Sequence, residues 1–444
     1  MSQSAKIITL GCPKNVVDSE QMQGYLYRAG YHLTTDSSQA EIIIINTCGF
    51  VESAKEESIE QIIECALLKE KGNCKYLVVT GCLVQKYADE LAAELPEVDL
   101  FLGTGEVPNI LEMLSQLQPG EQVSRIGDPA QYLFTEELPR VPENVRHYAY
   151  LKIAEGCDNC CTFCVIPSIR GHYRSRRMED IVREAEELVA LGAKEIILVA
   201  QDTTLYGKDI YGEYKLSALL RELVQIPDLK WLRLLYCYPN HLTDDLLLTI
   251  RDEPKICKYL DIPLQHIVDP ILQAMGRRIS KKETVELLQK IRRMIPEITI
   301  RTTFIVGFPG ESQSDFQELV NFIREFRFER AGFFPYSAEP DTPAAKISKQ
   351  LSQFEKEKRL REIEAVQNGI LASKQAELLN KEVLIIVDGA SEDYPGLWEG
   401  RTQADAPEID GVVYFQPNST IRPGDLINLR ITHNQDYALI GEII

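Results

Sequence analysis

The sequence has no run of about 18–20 uncharged apolar residues, the length that a membrane-spanning helix needs. Its first residues, Met1 to Lys6, lack the apolar segment and small-residue cleavage site of a secretory leader. They lead directly into a strand-like Ile7-Ile8-Thr9-Leu10. No membrane partner is expected, and the expected location is cytoplasmic. Positive charge is also scarce: 48 Lys and Arg face 67 Asp and Glu, a net −19 over 444 residues. Most of such a surface repels a phosphate backbone, so nucleic acid requires a local basic patch, whereas a basic protein suits the global charge. Internal repeats and low-complexity tracts are missing as well.

Cysteine, by contrast, is plentiful, with eleven residues. Disulfides are disfavoured in a reducing compartment, so clustered cysteines there point to metal or catalysis. With 44% hydrophobic residues, a chain of this length divides into several domains that each bury a core. Residues 5–105 alternate apolar runs (Lys6–Leu10, Glu41–Ile45, Tyr76–Thr80) with helical stretches such as Val16–Arg28 and Ser53–Leu68. That pattern predicts a parallel sheet with helices. Pro, Gly and charged residues in 117–146 read as a linker.

A longer alternation follows, with strands expected at Tyr150–Ala154, Glu195–Ala200, Trp231–Tyr236, Tyr259–Pro263, Thr299–Val306 and Arg330–Phe334. Helices such as Met178–Leu191 and Lys282–Met294 lie between them, which predicts a partial or full β/α barrel. A charged helix over Glu355–Leu379 precedes Val383–Val387, Gly411–Phe415 and Asp425–Ile431, a small all-β module of barrel type. The expected domains are 1–118, a linker at 119–145, 146–376 and 377–444, an α/β chain with a small all-β end.

Two cysteine sets carry chemistry. Cys157, Cys161 and Cys164 form C-x3-C-x2-C just after the first barrel strand. Three thiolates on one loop can hold three corners of a four-iron cluster and leave one iron open. A structural zinc site is the alternative, with Cys160 as a fourth ligand in a cramped tetrahedron. Cys12, Cys48 and Cys82 are far apart in sequence, yet each follows the C-terminal end of a predicted parallel strand: Leu10-Gly-Cys12, Asn46-Thr-Cys48 and Thr80-Gly-Cys82. Ligands of open α/β sheets bind at those strand ends, so the three can converge on one object, plausible as a second cluster. Buried structural cysteine is the alternative for each one taken singly. Cys65, Cys74, Cys237 and Cys257 share no such pattern and read as structural.

The C-x3-C-x2-C loop, with Phe163 before its last cysteine, resembles the radical S-adenosylmethionine superfamily. So do Ala200-Gln-Asp-Thr-Thr-Leu-Tyr-Gly207 at the end of the second barrel strand and Thr302-Thr-Phe-Ile-Val-Gly-Phe-Pro-Gly-Glu311 at the end of the fifth. The resemblance implies an open iron chelated by S-adenosylmethionine and its reductive cleavage to methionine and a 5′-deoxyadenosyl radical. It also implies that Gln201, Thr203, Gly307, Gly310 and Arg174 border that cofactor. Arg170, Arg174, Arg176 and Arg177 form a basic stretch able to bind a carboxylate, or simply a solvated loop. His266 either lines the barrel mouth or is a satisfied structural histidine.

With the N-terminal trio and the C-terminal module added, nearly the whole chain resembles the methylthiotransferase family: a three-cysteine domain, a radical barrel and a TRAM module of OB-like type. The resemblance implies two 4Fe-4S clusters, two molecules of S-adenosylmethionine per turnover, and a methylthio group placed on an unactivated carbon. Gly11-Cys-Pro-Lys-Asn15, Glu155-Gly-Cys-Asp158, Gln201-Asp-Thr-Thr204 and Ala406-Pro-Glu-Ile-Asp-Gly411 resemble its ribosomal-protein branch. That branch implies the β-carbon of an aspartate in small-subunit ribosomal protein S-twelve as target, free or in the subunit, with a reductant such as flavodoxin or ferredoxin. From Lys381 to Ile444, four basic residues face eleven acidic ones, a balance of −7. Such a module should repel RNA and attract a basic protein, although acidity also serves solubility. A tRNA methylthiotransferase and a non-catalytic iron–sulfur protein that carries electrons or senses oxygen are the rival readings. The last predicts no 5′-deoxyadenosine when reduced protein meets S-adenosylmethionine.

Overall fold

The computed structural model describes residues 3–131, 139–141, 146–435 and 438–444. No helix among them is long and apolar enough to cross a membrane.

The N-terminal sheet is entirely parallel. Its spatial order is His32–Leu33, Ser4–Thr9, Ile42–Thr47, Tyr76–Gly81, Leu100–Leu102 and Val123–Arg125. Four successive isoleucines, Ile42 to Ile45, form its middle, and every residue of that strand is buried. A strand covered on both faces needs apolar side chains in both directions, which an unbroken run supplies. Met22 and Leu26 of the helix Pro13–Arg28 pack on one face, beside Ile42 and Ile44. Ile62 of Glu52–Lys71 and Leu83 and Val84 of Cys82–Glu94 pack on the other, beside Ile43 and Ile45. The chain therefore changes face between the strands Ser4–Thr9 and Ile42–Thr47. That switch point opens a crevice at their C-terminal ends. Val123–Arg125, from the stretch expected as a linker, pairs with Leu100–Leu102 as the edge strand.

The six barrel strands form two parallel three-stranded sheets. One runs Trp231–Leu234, Glu195–Val199, Tyr148–Lys152; the other runs Tyr259–Asp261, Thr299–Val306, Arg330–Pro335. The bridge of Leu232 with Ile256 and the bond from the Cys237 amide to the Asp261 carbonyl at 2.8 Å join the two halves, and among the described residues Tyr148–Lys152 and Arg330–Pro335 do not pair, so the barrel is partial. Alternation sorts the side chains. Leu151, Ile196, Leu198, Leu232 and Leu234 point outward into the helical layer. Tyr150, Ile197, Val199, Trp231 and Tyr259 point inward, where Val16 and Val17 of the N-terminal helix pack against them. The helix Gln353–Ala376 also belongs to the barrel, burying Ile363 and Ile370 in the same core.

The last domain is a closed five-stranded barrel ordered Glu382–Ala390, Trp398–Thr402, Val413–Phe415, Ala438–Ile443, Leu426–Gln435. It plugs the N-terminal end of the larger barrel with charged residues of the strand Trp398–Thr402 and of the loop after it. Arg401, only 2% exposed, reaches Glu195 at 2.7 Å, and Arg233 reaches the other oxygen of Glu195 at 2.7 Å. Tyr259 donates to Asp410 at 2.7 Å, and Arg330 pairs with Asp405. Thus part of the motif Ala406–Gly411 anchors one domain to another.

Candidate functional site

The N-terminal trio assembles in the switch-point crevice. Gly11 has φ +89°, and a Cβ there would lie 2.7 Å from Cys48 Cβ and 3.0 Å from its sulfur. Only glycine lets the turn before Cys12 rest on Cys48. Asn15 ties the two turns together, donating to the Leu10 carbonyl at 2.9 Å and the Thr47 carbonyl at 3.1 Å. Its Oδ1 accepts from Arg170 at 2.7 Å, and Arg170 Nη2 lies 3.3 Å from Cys82 Sγ. One asparagine and one arginine thereby gather all three thiols. Burial opposes the Cys12 thiolate, but Lys14 and Arg170 outweigh it and lower the Cys12 pKa. Burial prevails at Cys48, pushing it to about 11, and also raises Cys82. Three thiols this close, two of them buried, become thiolates together only beside a strongly cationic centre, which an iron cluster provides.

The second trio lies on the loop after the first barrel strand. Gly156, at φ +82°, admits no Cβ, which would sit 2.1 Å from the His172 carbonyl oxygen. The Cys157 amide donates to the Gly171 carbonyl at 3.1 Å. Thr162 pins the far side, donating from its amide to Met275 at 3.0 Å and from its hydroxyl to Ala274 at 2.7 Å. Arg277 Nη1 stands 3.6 Å from Cys161 Sγ. Burial pushes Cys157 up to about 11 and Cys164 up to about 12. Cys160 is the exposed one, with its sulfur 3.9 Å from Arg278. Among the described residues, no three His, Cys, Asp or Glu side chains stand at the mutual spacing of a single-ion site. What each trio offers is its donor chemistry: three cysteine sulfurs without a disulfide, the ligand type that holds an iron–sulfur cluster.

Residues expected around S-adenosylmethionine divide into two groups. Gln201 turns toward the centre, its amide donating to Glu155 at 2.5 Å. Gly310, at φ +88°, has open space where a Cβ would stand. The Thr203 hydroxyl is fully buried and donates to the Leu235 carbonyl. Gly307 faces the helix Gln353–Ala376, where a Cβ would meet Lys356 Cγ at 2.6 Å. Arg174 bonds the carbonyls of Pro129 at 2.9 Å and Arg170 at 3.1 Å. His266 is fully buried; its Nδ1 accepts from the Val268 amide at 3.1 Å, and its Nε2 is 3.7 Å from Glu311. Arg170 and Arg176 are buried and Arg174 is half-buried, so of the basic stretch only Arg177 is solvated.

A buried ion network joins the two centres, and the sequence did not disclose it. Lys152, wholly inaccessible, pairs with Asp18 of the N-terminal domain and with Glu155 at 2.7 Å. Arg170 also pairs with Asp18, at 2.7 Å. Burial works against the Glu155 carboxylate, yet Lys152 and Arg170 hold it at about 2. Lys14 lies beside this network with its ammonium 3.4 Å from the centre of the Tyr236 ring. The available signal was the polar start of the helix Pro13–Arg28, where Lys14, Asn15, Asp18 and Ser19 are all buried.

Three family models match the chain: an uncharacterized protein family, UPF0004, over residues 4–103, the Radical SAM superfamily over 151–323, and the TRAM domain over 381–444. Curated relatives cover the whole chain. One from Geobacter sulfurreducens, called ribosomal protein uS12 methylthiotransferase RimO, is 48% identical over 443 residues, 100% of this chain and 99% of the relative. Another of the same name, from Desulfitobacterium hafniense, is 45% identical over 445 residues, again 100% and 99%. Among solved structures, the radical S-adenosylmethionine methyltransferase TsrM from Kitasatospora setae matches with a TM-score of 0.58 at 15% identity. The match covers 78% of this chain and 74% of that one, and it speaks for the fold alone.

Proposed function

The chain belongs to the family of ribosomal protein uS12 methylthiotransferases, and from that membership we propose that it methylthiolates the β-carbon of an aspartate in uS12. The observation that carries this reading is two cysteine trios, one on each domain, bridged by a single buried ion network. Cys12, Cys48 and Cys82 hold one 4Fe-4S cluster, and Cys157, Cys161 and Cys164 hold the other. When bound, the clusters and S-adenosylmethionine supply the electron, the hydrogen-abstracting radical and the transferred sulfur and methyl groups.

The protein's own residues supply position and dryness. Val16 and Val17 seal the N-terminal domain against the barrel interior, which keeps water from a reactive radical. Arg170 touches Cys82 and Asp18 at once, so the placement of one trio is fixed to the wall that carries the other. Gln201 and Glu155 set the polar floor beside the barrel trio. Cofactor contacts come from Gln201 and Gly310, while Thr203, Gly307 and Arg174 shape the same loops from behind. The acidic C-terminal module suits a basic protein rather than RNA. Asp388, Asp405 and Asp410 serve internal pairs, but Glu382, Glu392, Asp393, Asp425 and Glu442 remain exposed. A flavodoxin- or ferredoxin-type reductant and a cytoplasmic setting belong to the same reading.

The test is to incubate the anaerobically reconstituted protein with S-adenosylmethionine, a reductant, and either uS12 or tRNA, then weigh the products. A methylthio mass gain on uS12 is expected. A gain on tRNA alone contradicts the reading.

A further inference from the structure

We propose that Lys14 is the docking cation for the side-chain carboxylate of the aspartate being modified, an inference that rests on the uS12 reading above. Four lysines in the described structure are buried, and three of them have an oxygen partner. Lys55 pairs with Glu339 at 2.7 Å, Lys152 with Glu155 at 2.7 Å, and Lys356 donates to the Tyr336 carbonyl at 2.7 Å. Lys14 is 8% exposed, and among the described residues its ammonium has neither a carboxylate within salt-bridge reach nor a hydrogen-bond acceptor. Lysines as little exposed as this are as a rule paired, and the exposure that Lys14 keeps leaves its ammonium open to a ligand. An anion brought by the substrate would complete this one.

The surroundings point the same way. Lys14 stands two residues beyond Cys12, and its ammonium lies over the Tyr236 ring at 3.4 Å. A ring face attracts a cation without neutralising it, so the charge stays available for a partner. Tyr236 follows the third barrel strand with φ +61°, a left-handed conformation that an aromatic residue adopts only when its surroundings enforce it. The enforcing groups are Asp261, which accepts from the Tyr236 amide at 2.9 Å, and Thr203, whose amide donates to the Tyr236 carbonyl at 3.0 Å. Nearby ions are already engaged: Arg170 by Asp18 and Asn15, Glu155 by Lys152 and Gln201. The positive charge, which also acts on Cys12 but has no oxygen partner, is thus held beside the N-terminal trio, at the C-terminal mouth of the barrel.

The chemistry gives that position a purpose. In aspartate the β-carbon is bonded directly to the carboxylate carbon. A cation that fixes the carboxylate fixes the reacting carbon one bond away, and proximity of that kind is a large part of catalysis. It also rejects a neutral side chain, which would leave the ammonium unpaired.

The experiment measures binding by the full-length, cluster-loaded enzyme of a fluorescent uS12 peptide carrying the target aspartate, and of its Asp→Asn counterpart. Wild-type enzyme is expected to prefer the aspartate peptide by about tenfold, the scale of one charge-assisted hydrogen bond. Lys14→Met should weaken the aspartate peptide about tenfold and leave the asparagine peptide unchanged. Lys14→Arg should keep the preference. Equal binding of both peptides by wild-type enzyme overturns the proposal. So does a preference that survives Lys14→Met, or an equal loss on both peptides, which marks Lys14 as a mere counter-ion of Cys12. If Lys14→Met fails to load clusters, the wild-type and Lys14→Arg comparisons decide. Failure of the uS12 reading is seen separately, as no methylthio product from wild-type enzyme and the aspartate peptide.

Discussion

Lys152 shows how much one side chain contributes when it is buried between two domains. It sits on the first barrel strand, points inward, and meets Asp18 from the N-terminal helix and Glu155 from its own loop. Replacing a buried ion pair wholesale is often harmless, but removing one partner strands the other charge away from water. Lys152→Met is therefore expected to lower unfolding stability by about 3–5 kcal/mol, read as a shift of the urea midpoint. A midpoint within error of wild type would show that Arg170 alone satisfies both acids. At this scale the sequence was only partly legible. The six cysteines stood out because their spacing and their strand-end positions are local patterns. Asp18 and Lys152 did not, and Arg170 did so only as one member of a basic stretch, because charged residues 134 and 152 positions apart in the chain meet only once the domains dock.

Among the elements, those with strong periodicity were readable and those set by tertiary fit were not. The isoleucine run of Ile42–Thr47 and the amphipathic helix Met178–Ala190 announce themselves. Trp398–Thr402 did not, since its sequence, Trp-Glu-Gly-Arg-Thr, has no apolar alternation. Gly400 is there because a Cβ would press within 2.6 Å of Ile385 and of the Ile386 carbonyl oxygen. Its neighbour Arg401 is there for Glu195, across the domain boundary. The expected linker had a similar outcome: Val123–Arg125 is short and polar, and it becomes a strand only because Leu100–Leu102 offers an open edge.

The Glu195 contact also gives the domain junction a pH dependence. Burial raises the cost of the Glu195 carboxylate, but Arg401 and Arg233 outweigh it and hold its pKa below the ordinary 4.5. A depressed acid pKa adds stability that is complete above pH 4.5 and is lost as the pH falls below it. Urea unfolding of wild type and Glu195→Gln should therefore differ most near neutrality and converge in acid. A gap that stays constant across that range would mean that the junction owes nothing to this charge.

Across the whole molecule, three domains present two thiol trios to one another through shared walls. The N-terminal helix enters the barrel interior, and the C-terminal module closes the opposite end. Each domain alone has a familiar architecture, and fold by itself assigns no function. Function follows from what the junction brings together: Cys82 with Arg170 of the barrel, and Lys14 with Tyr236. That arrangement has meaning only if both trios carry clusters.

The most direct measurement is the iron and sulfide content of anaerobically reconstituted protein, with Cys12, Cys48 and Cys82 changed together to Ala in one variant and Cys157, Cys161 and Cys164 in another. Two 4Fe-4S clusters are predicted in the wild-type protein and a single one in each triple variant. Zinc in place of iron, a lone cluster in the wild type, or a triple variant that keeps both would contradict the account.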